Sequence, residues 1–154
     1  MGGVDTRLSF KSLEDFEKDR MVAINGANLI FEVVTADSGG VSLEQQPERL
    51  ILLREYEDGT LQQLHDYVVV ANTDPTLFGG WLKPGTSGLF QDTLYTYTFK
   101  MPLHFQGMAD GTIPDHTFRL GMINAPRNPK FTKLWGNLST GRARIRLEIV
   151  YLKL

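Results

Sequence analysis

The chain has 154 residues, 42% of them apolar, and a formal net charge of −2. That suffices for one domain with its own hydrophobic core, and the near-neutral balance excludes the basic footprint of a nucleic-acid or anionic-membrane binder. The absence of cysteine excludes disulfides, thiol catalysis and thiolate metal sites; no apolar run approaches the ~18 residues of a membrane helix.

Met1-Gly2-Gly3 reads as an added start, so a native leader is expected upstream. Arg7 to Phe10 suits a short edge strand. Ser12 followed by Asp15 resembles a capping box, and Phe10, Leu13 and Phe16 share one helical face, which predicts a helix over 12–19. Met21 to Thr35 is a strong strand: Ala27, Leu29, Phe31 and Val33 alternate with Asn28, Ile30, Glu32 and Val34. Gly26 inside it weakens pairing unless it belongs to a bulge. Asp37-Ser38-Gly39-Gly40 ends the strand as a turn cluster.

Arg49 to Tyr56 is the next strand, and Glu57-Asp58-Gly59 signals a hairpin with Leu61 to Leu64 as its return arm. Tyr67 to Ala71 is β-branched and short, which predicts a strand. Residues 72–91 hold four glycines and two prolines and read as a long loop. Asp92 to Lys100 alternates cleanly as a strand. Pro102 opens a short helix that Gly111 stops in the left-handed conformation. Thr117 to Ile123 is a strand, and Phe131 to Trp135 a short one. Arg142 to Leu154 closes the chain: Ala143, Ile145, Leu147, Ile149 and Tyr151 alternate with Arg142, Arg144, Arg146 and Glu148. Its polar face turns apolar at Val150 and Leu152, so its far end is expected to be covered on both sides, by the helix after Pro102. Its arginines read as a solvated strand face before they read as a phosphate stripe. Strands 21–35 and 142–154 are the expected central pair.

Short strands separated by Gly/Pro turns, with one or two short helices, imply an all-β fold: a single antiparallel β-sandwich of jelly-roll type over residues 1–154. No P-loop, nucleophile elbow, metalloprotease motif or EF-hand is present. His65, His104 and His116 share no metal-ligand spacing, and His65-Asp66 and Asp115-His116 are adjacent residues that an extended chain points apart. Asp110, Gly111 and Asp115 crowd one loop where calcium is conceivable, but the spacing fits no ligand pattern, so no metal or cofactor is expected. Asn137-Leu138-Ser139 matches a glycosylation sequon. The most suggestive residues are Phe78, Trp81 and Phe90, set between glycines and prolines. They either contact a ligand, as loop aromatics of sandwiches do with sugar rings or protein partners, or fold back to cap an open end of the core.

Ile24-Asn25-Gly26-Ala27-Asn28-Leu29 resembles the "I-N-K-A-x-L" strand opening of a family of Bacteroidetes surface lipoproteins of unknown function. Gly79-Gly80 is similar to a glycine pair of that family. Tyr97-Thr98-Phe99-Lys100-Met101-Pro102-Leu103-His104-Phe105-Gln106 resembles its strand-to-helix segment, and Arg144 to Tyr151 its terminal strand. The broader DNRLRE-type secreted sandwiches look related. Lys100 departs from the pattern, which favours Asn or Asp there. The resemblance spans roughly residues 12–154. It implies a secreted, lipid-anchored β-sandwich, this chain being the C-terminal part of a longer precursor with a signal peptide and anchor cysteine, and it carries over no catalytic residue. The expected role is a non-catalytic structural or ligand-binding module at the cell surface, contacting glycans or a surface protein. The alternative is a carbohydrate-active enzyme or its accessory domain, which would need two carboxylates about 5–10 Å apart.

Overall fold

The computed structural model describes residues 5–10, 21–86, 93–114, 117–122, 130–136 and 145–153. Among them are β1 (Thr6–Ser9), β2 (Val22–Glu32), β3 (Leu50–Glu55), β4 (Leu61–Gln63), β5 (Gly79–Thr86), β6 (Thr93–Lys100), β7 (Thr117–Met122) and β8 (Arg146–Lys153). Two short helices are α1 (His65–Ala71) and α2 (Pro102–Ala109). One sheet runs β1-β7-β3-β4 and the other β5-β6-β2-β8, with every pair antiparallel. The protein is an all-β sandwich. The helix expected over 12–19 lies outside the described residues.

Period-two patterning builds the core. Ala27, Leu29, Phe31 and Val33 of β2 and its extension are buried against Leu50 and Leu52 of β3 and Phe118 and Leu120 of β7. Phe99 of β6 lies 6.0 Å from Phe31 and 5.6 Å from Phe78 between ring centres. Burying such side chains contributes about 1.5–3 kcal/mol each. The Tyr97 hydroxyl is buried among them and donates to the Pro47 carbonyl at 2.6 Å. Its pKa is pushed above the ordinary tyrosine value by burial.

Gly26 follows a register shift in β2 between Ile24 and Gly26, which is the bulge its presence suggests. The closing strand pairs with β2 from Ile30↔Arg146 to Val22↔Lys153, joining the two sequence-distant strands. Among the described residues it is, however, an edge strand, and Val150 and Leu152 are 62% and 58% exposed. The helix expected to cover its far end does not do so, because α2 lies on the other flank of β2. There the Ile24 N–H donates to Gln106 Oε1 at 2.8 Å and Gln106 Nε2 donates to the Val22 carbonyl at 3.1 Å. Gln106 therefore stands in for a neighbouring strand where β6 has ended at Lys100.

Two other expectations are overturned. Residues 65–71 form a helix rather than a strand. Leu64, Tyr67 and Val70, three apart, face the core while Val68 and Val69 are exposed, so the helical period prevails over β-propensity. The long loop over 72–91 contains β5. Gly79 and Gly80 have φ of 98° and 81°. A Cβ would sit 2.0 Å from the Thr98 carbonyl oxygen at the first and 2.5 Å from that of Leu50 at the second. The glycines let this segment press against both β6 and β3.

Candidate binding site

Two of the three aromatics singled out by sequence, Phe78 and Trp81, lie among the described residues and occupy different settings. Phe78 is 3% exposed and packs edge-on against Tyr67 and Phe99 in the core. Trp81 lies half-buried on β5, opposite Arg49 in an isolated bridge that joins the two sheets at one corner. The Arg49 guanidinium sits 5.1 Å from the Trp81 ring centre and 5.7 Å from that of Tyr67. One face of the indole is thus occupied by a cation from within the chain. Phe90 lies outside the described residues, as do His116, Asp115 and the sequon.

Among the described residues the other corner of the sandwich is less filled. A cavity of about 510 Å³ lies between the sheets. Its lining includes Phe31 of β2, Leu50 of β3, Leu120 of β7 and Leu8 of β1, with Leu134, Trp135 and Ile145 on the remaining side. Backbone pairing explains why space is left there. β8 pairs with β2 only as far as Ile30. Further along, the Val34 N–H donates to the Lys133 carbonyl at 2.8 Å and the Trp135 N–H to that of Glu32 at 3.0 Å. The Val33 N–H points the other way, to Tyr95 of β6 at 2.9 Å. Successive backbone groups of a strand point to opposite flanks, so 133–135 lies on the β8 side of β2. Phe31 lies between Ile30, the last residue that β8 pairs among the described residues, and Glu32, which bonds Trp135. Its side chain, fully buried, floors the cavity, while Phe131 stands 57% exposed at the rim.

The lining is neutral: Thr6 and Thr132 add hydroxyls, and among the described lining residues there is no Asp, Glu, His, Lys or Arg. Charge sits outside the wall. Arg7 of β1 and Arg119 of β7 are directly paired neighbours, and Glu55 of β3 serves both. Arg119 Nε and Nη2 donate to its two oxygens at 2.9 and 3.0 Å, and Arg7 Nε lies 2.9 Å from Oε2. The Arg119 hydrogen bond, aided by the charges of both arginines, holds the Glu55 carboxyl below the usual glutamate range. This network ties β1, the cavity's outer strand, to the sheet.

A second buried acid is structural. Asp66 on α1 accepts from the Leu103 and His104 N–H groups at 2.7 and 2.9 Å, capping α2 from another element. α2 thus takes its cap from Asp66 rather than from a side chain at its own start. Burial pushes the Asp66 carboxyl up, and the two N–H donors oppose that shift.

Among the described residues no three His, Asp or Glu side chains cluster as metal ligands, and no helix is long and apolar enough to cross a membrane. Comparison with protein-family models, with curated proteins and with solved structures finds no match. Sequence reasoning missed the cavity, although it marked Phe131 to Trp135, part of its lining, as a short apolar stretch.

Proposed function

We propose that this domain is a non-catalytic binding module displayed at a bacterial cell surface, and that the cavity beside Phe31 is where it binds. The observation that carries the reading is a cavity of about 510 Å³ whose described lining holds no charged side chain. Small-molecule sites are typically concave, mainly apolar and ~300–1,000 Å³ in volume. Acid–base chemistry needs a titratable group within reach of the substrate, and hydrolysis of a glycoside needs two carboxylates across it; the described lining supplies neither. A sugar needs several hydrogen-bonding partners beside a stacking face, whereas the polar side chains of the described lining are two threonines and the Trp135 indole, and at the opposite corner Arg49 already occupies one face of Trp81. An uncharged apolar ligand is favoured over a glycan. The surface location rests on the resemblance of the β2, β6–α2 and β8 segments to the lipoprotein family.

The test is a titration with N-phenyl-1-naphthylamine, an uncharged fluorophore that brightens in apolar sites, run beside a panel of chromogenic glycosides. Saturable brightening that disappears in Leu134→Trp, with the variant's melting temperature preserved, and no glycoside turnover are expected. Turnover above buffer, or a folded wild-type domain that fails to brighten the probe, contradicts the reading.

A further inference from the structure

We infer that the domain carries a second site, at Arg49, for a small monocarboxylate with a compact apolar body. Along β3, the partner strand β4 covers only Leu53 to Glu55. Beyond that short strand lies a separate cavity of about 260 Å³, lined by Leu52, Leu53, Tyr67 and Phe78, with Gln63 and Arg49 as its polar members. An apolar cavity of ~150 Å³ takes up benzene, so this one has room for a phenyl group and a short chain.

Arg49 makes the site selective. It is half-buried and clamped by Trp81 and Tyr67. Its Nη2 donates to the Pro75 carbonyl at 3.2 Å and its Nε, over a long 3.4 Å, to that of Gly79. Among the described residues Nη1 has no acceptor and no carboxylate lies within ion-pair distance. A partly desolvated guanidinium held by carbonyls and aromatic faces thus lacks a counter-ion among those residues. The chemistry that fits is a carboxylate on Nη1 with its hydrocarbon part among Leu52, Leu53 and Phe78. Guanidinium–carboxylate bonds are the charge-assisted kind, and the fixed stacking spares the usual entropy of ordering an arginine. This site shares the Leu50 wall with the neutral cavity beside Phe31 and no other described lining residue.

The test is calorimetric titration with 4-phenylbutyrate and with its neutral counterpart 4-phenylbutanamide. The acid is expected to bind saturably, the amide about tenfold more weakly or worse, as the loss of one charge-assisted contact implies. Raising salt should weaken the acid alone. Arg49→Gln should reduce acid binding to the amide's level, Leu53→Trp should abolish both by filling the cavity, and Leu134→Trp should leave both unchanged. Since Arg49→Gln also loosens a sheet contact, the acid–amide comparison on wild type stands as an arm free of folding effects. Equal affinity for acid and amide overturns the proposal, as does loss of binding in Leu134→Trp or no saturable binding to the folded wild type.

Discussion

The two flanks of β2 are both incomplete, and the chain treats the two gaps differently. On the β6 side, pairing stops at Asn28, and the amide of Gln106 fills the vacancy by bonding Ile24 and Val22. On the β8 side, among the described residues, β8 hands over to 133–135 between Ile30 and Glu32, and a cavity lies beside Phe31. One gap is closed by a side chain that mimics a strand. The other becomes a cavity because its edge groups are apolar and its backbone is already satisfied on either side. A break in a ladder demands hydrogen-bond partners only where backbone groups are left bare; elsewhere it can be kept as space for a ligand.

The largest expected contrast is between two leucines of this region. Leu29→Ala, on β2 in the closed part of the core, should cost about 2–5 kcal/mol, whereas Leu134→Ala, on the cavity wall, should cost no more than about 1.5 kcal/mol because the site is already underpacked. Urea denaturation of both variants decides this, and equal losses would break the comparison. Next comes Gln106→Leu, which keeps the volume and strips the bonds to Ile24 and Val22. It should cost about 1–3 kcal/mol, the penalty for stranding part-buried backbone groups. A cost near zero would mean that water replaces the amide without loss. Leu134→Trp should be neutral to stabilising, by up to ~2 kcal/mol, if it fills the void without displacing Phe31.

The smallest effect concerns pH. The Glu55 carboxyl is depressed, so its contribution is present above the ordinary glutamate value of 4.5 and is lost as pH falls below it. Asp66 has the opposite sign: its raised carboxyl favours the folded state most at low pH, and that share is lost as pH rises through the raised value. Acidification should therefore loosen β1, and with it the cavity wall. The protection of the Arg7 and Leu8 amides against exchange should fall as pH drops below 4.5, and Glu55→Gln should flatten that change. Protection of β1 that does not change with acid in the wild type would contradict this role for Glu55.

What the sequence disclosed follows from which forces are local. The pairing of β2 with β8 was legible because both segments alternate over eleven and eight residues, and the start of α2 because Pro102 and Gly111 mark its ends. The edge position of β8 was not, since alternation reports which face is buried and is silent on how many neighbours a strand has. Tyr67–Ala71 misled because three valines suggest a strand, while the decisive contacts of Asp66, Tyr67 and Val70 lie far along the chain. β5 was hidden behind glycines that read as loop until their close approach to Thr98 and Leu50 is seen. Of the site residues, Trp81 was noticed without its partner Arg49, thirty-two residues upstream. The cavity beside Phe31 depends on where two separate segments end, which no local pattern encodes.

The most direct measurement of the central claim is diffraction from crystals pressurised with xenon, which enters apolar cavities and can be located directly. The account predicts xenon density between Phe31, Leu134 and Trp135 in wild type, and none there in Leu134→Trp. Wild-type crystals with no xenon at that position, and Trp135 or Phe131 folded into the space, would contradict it.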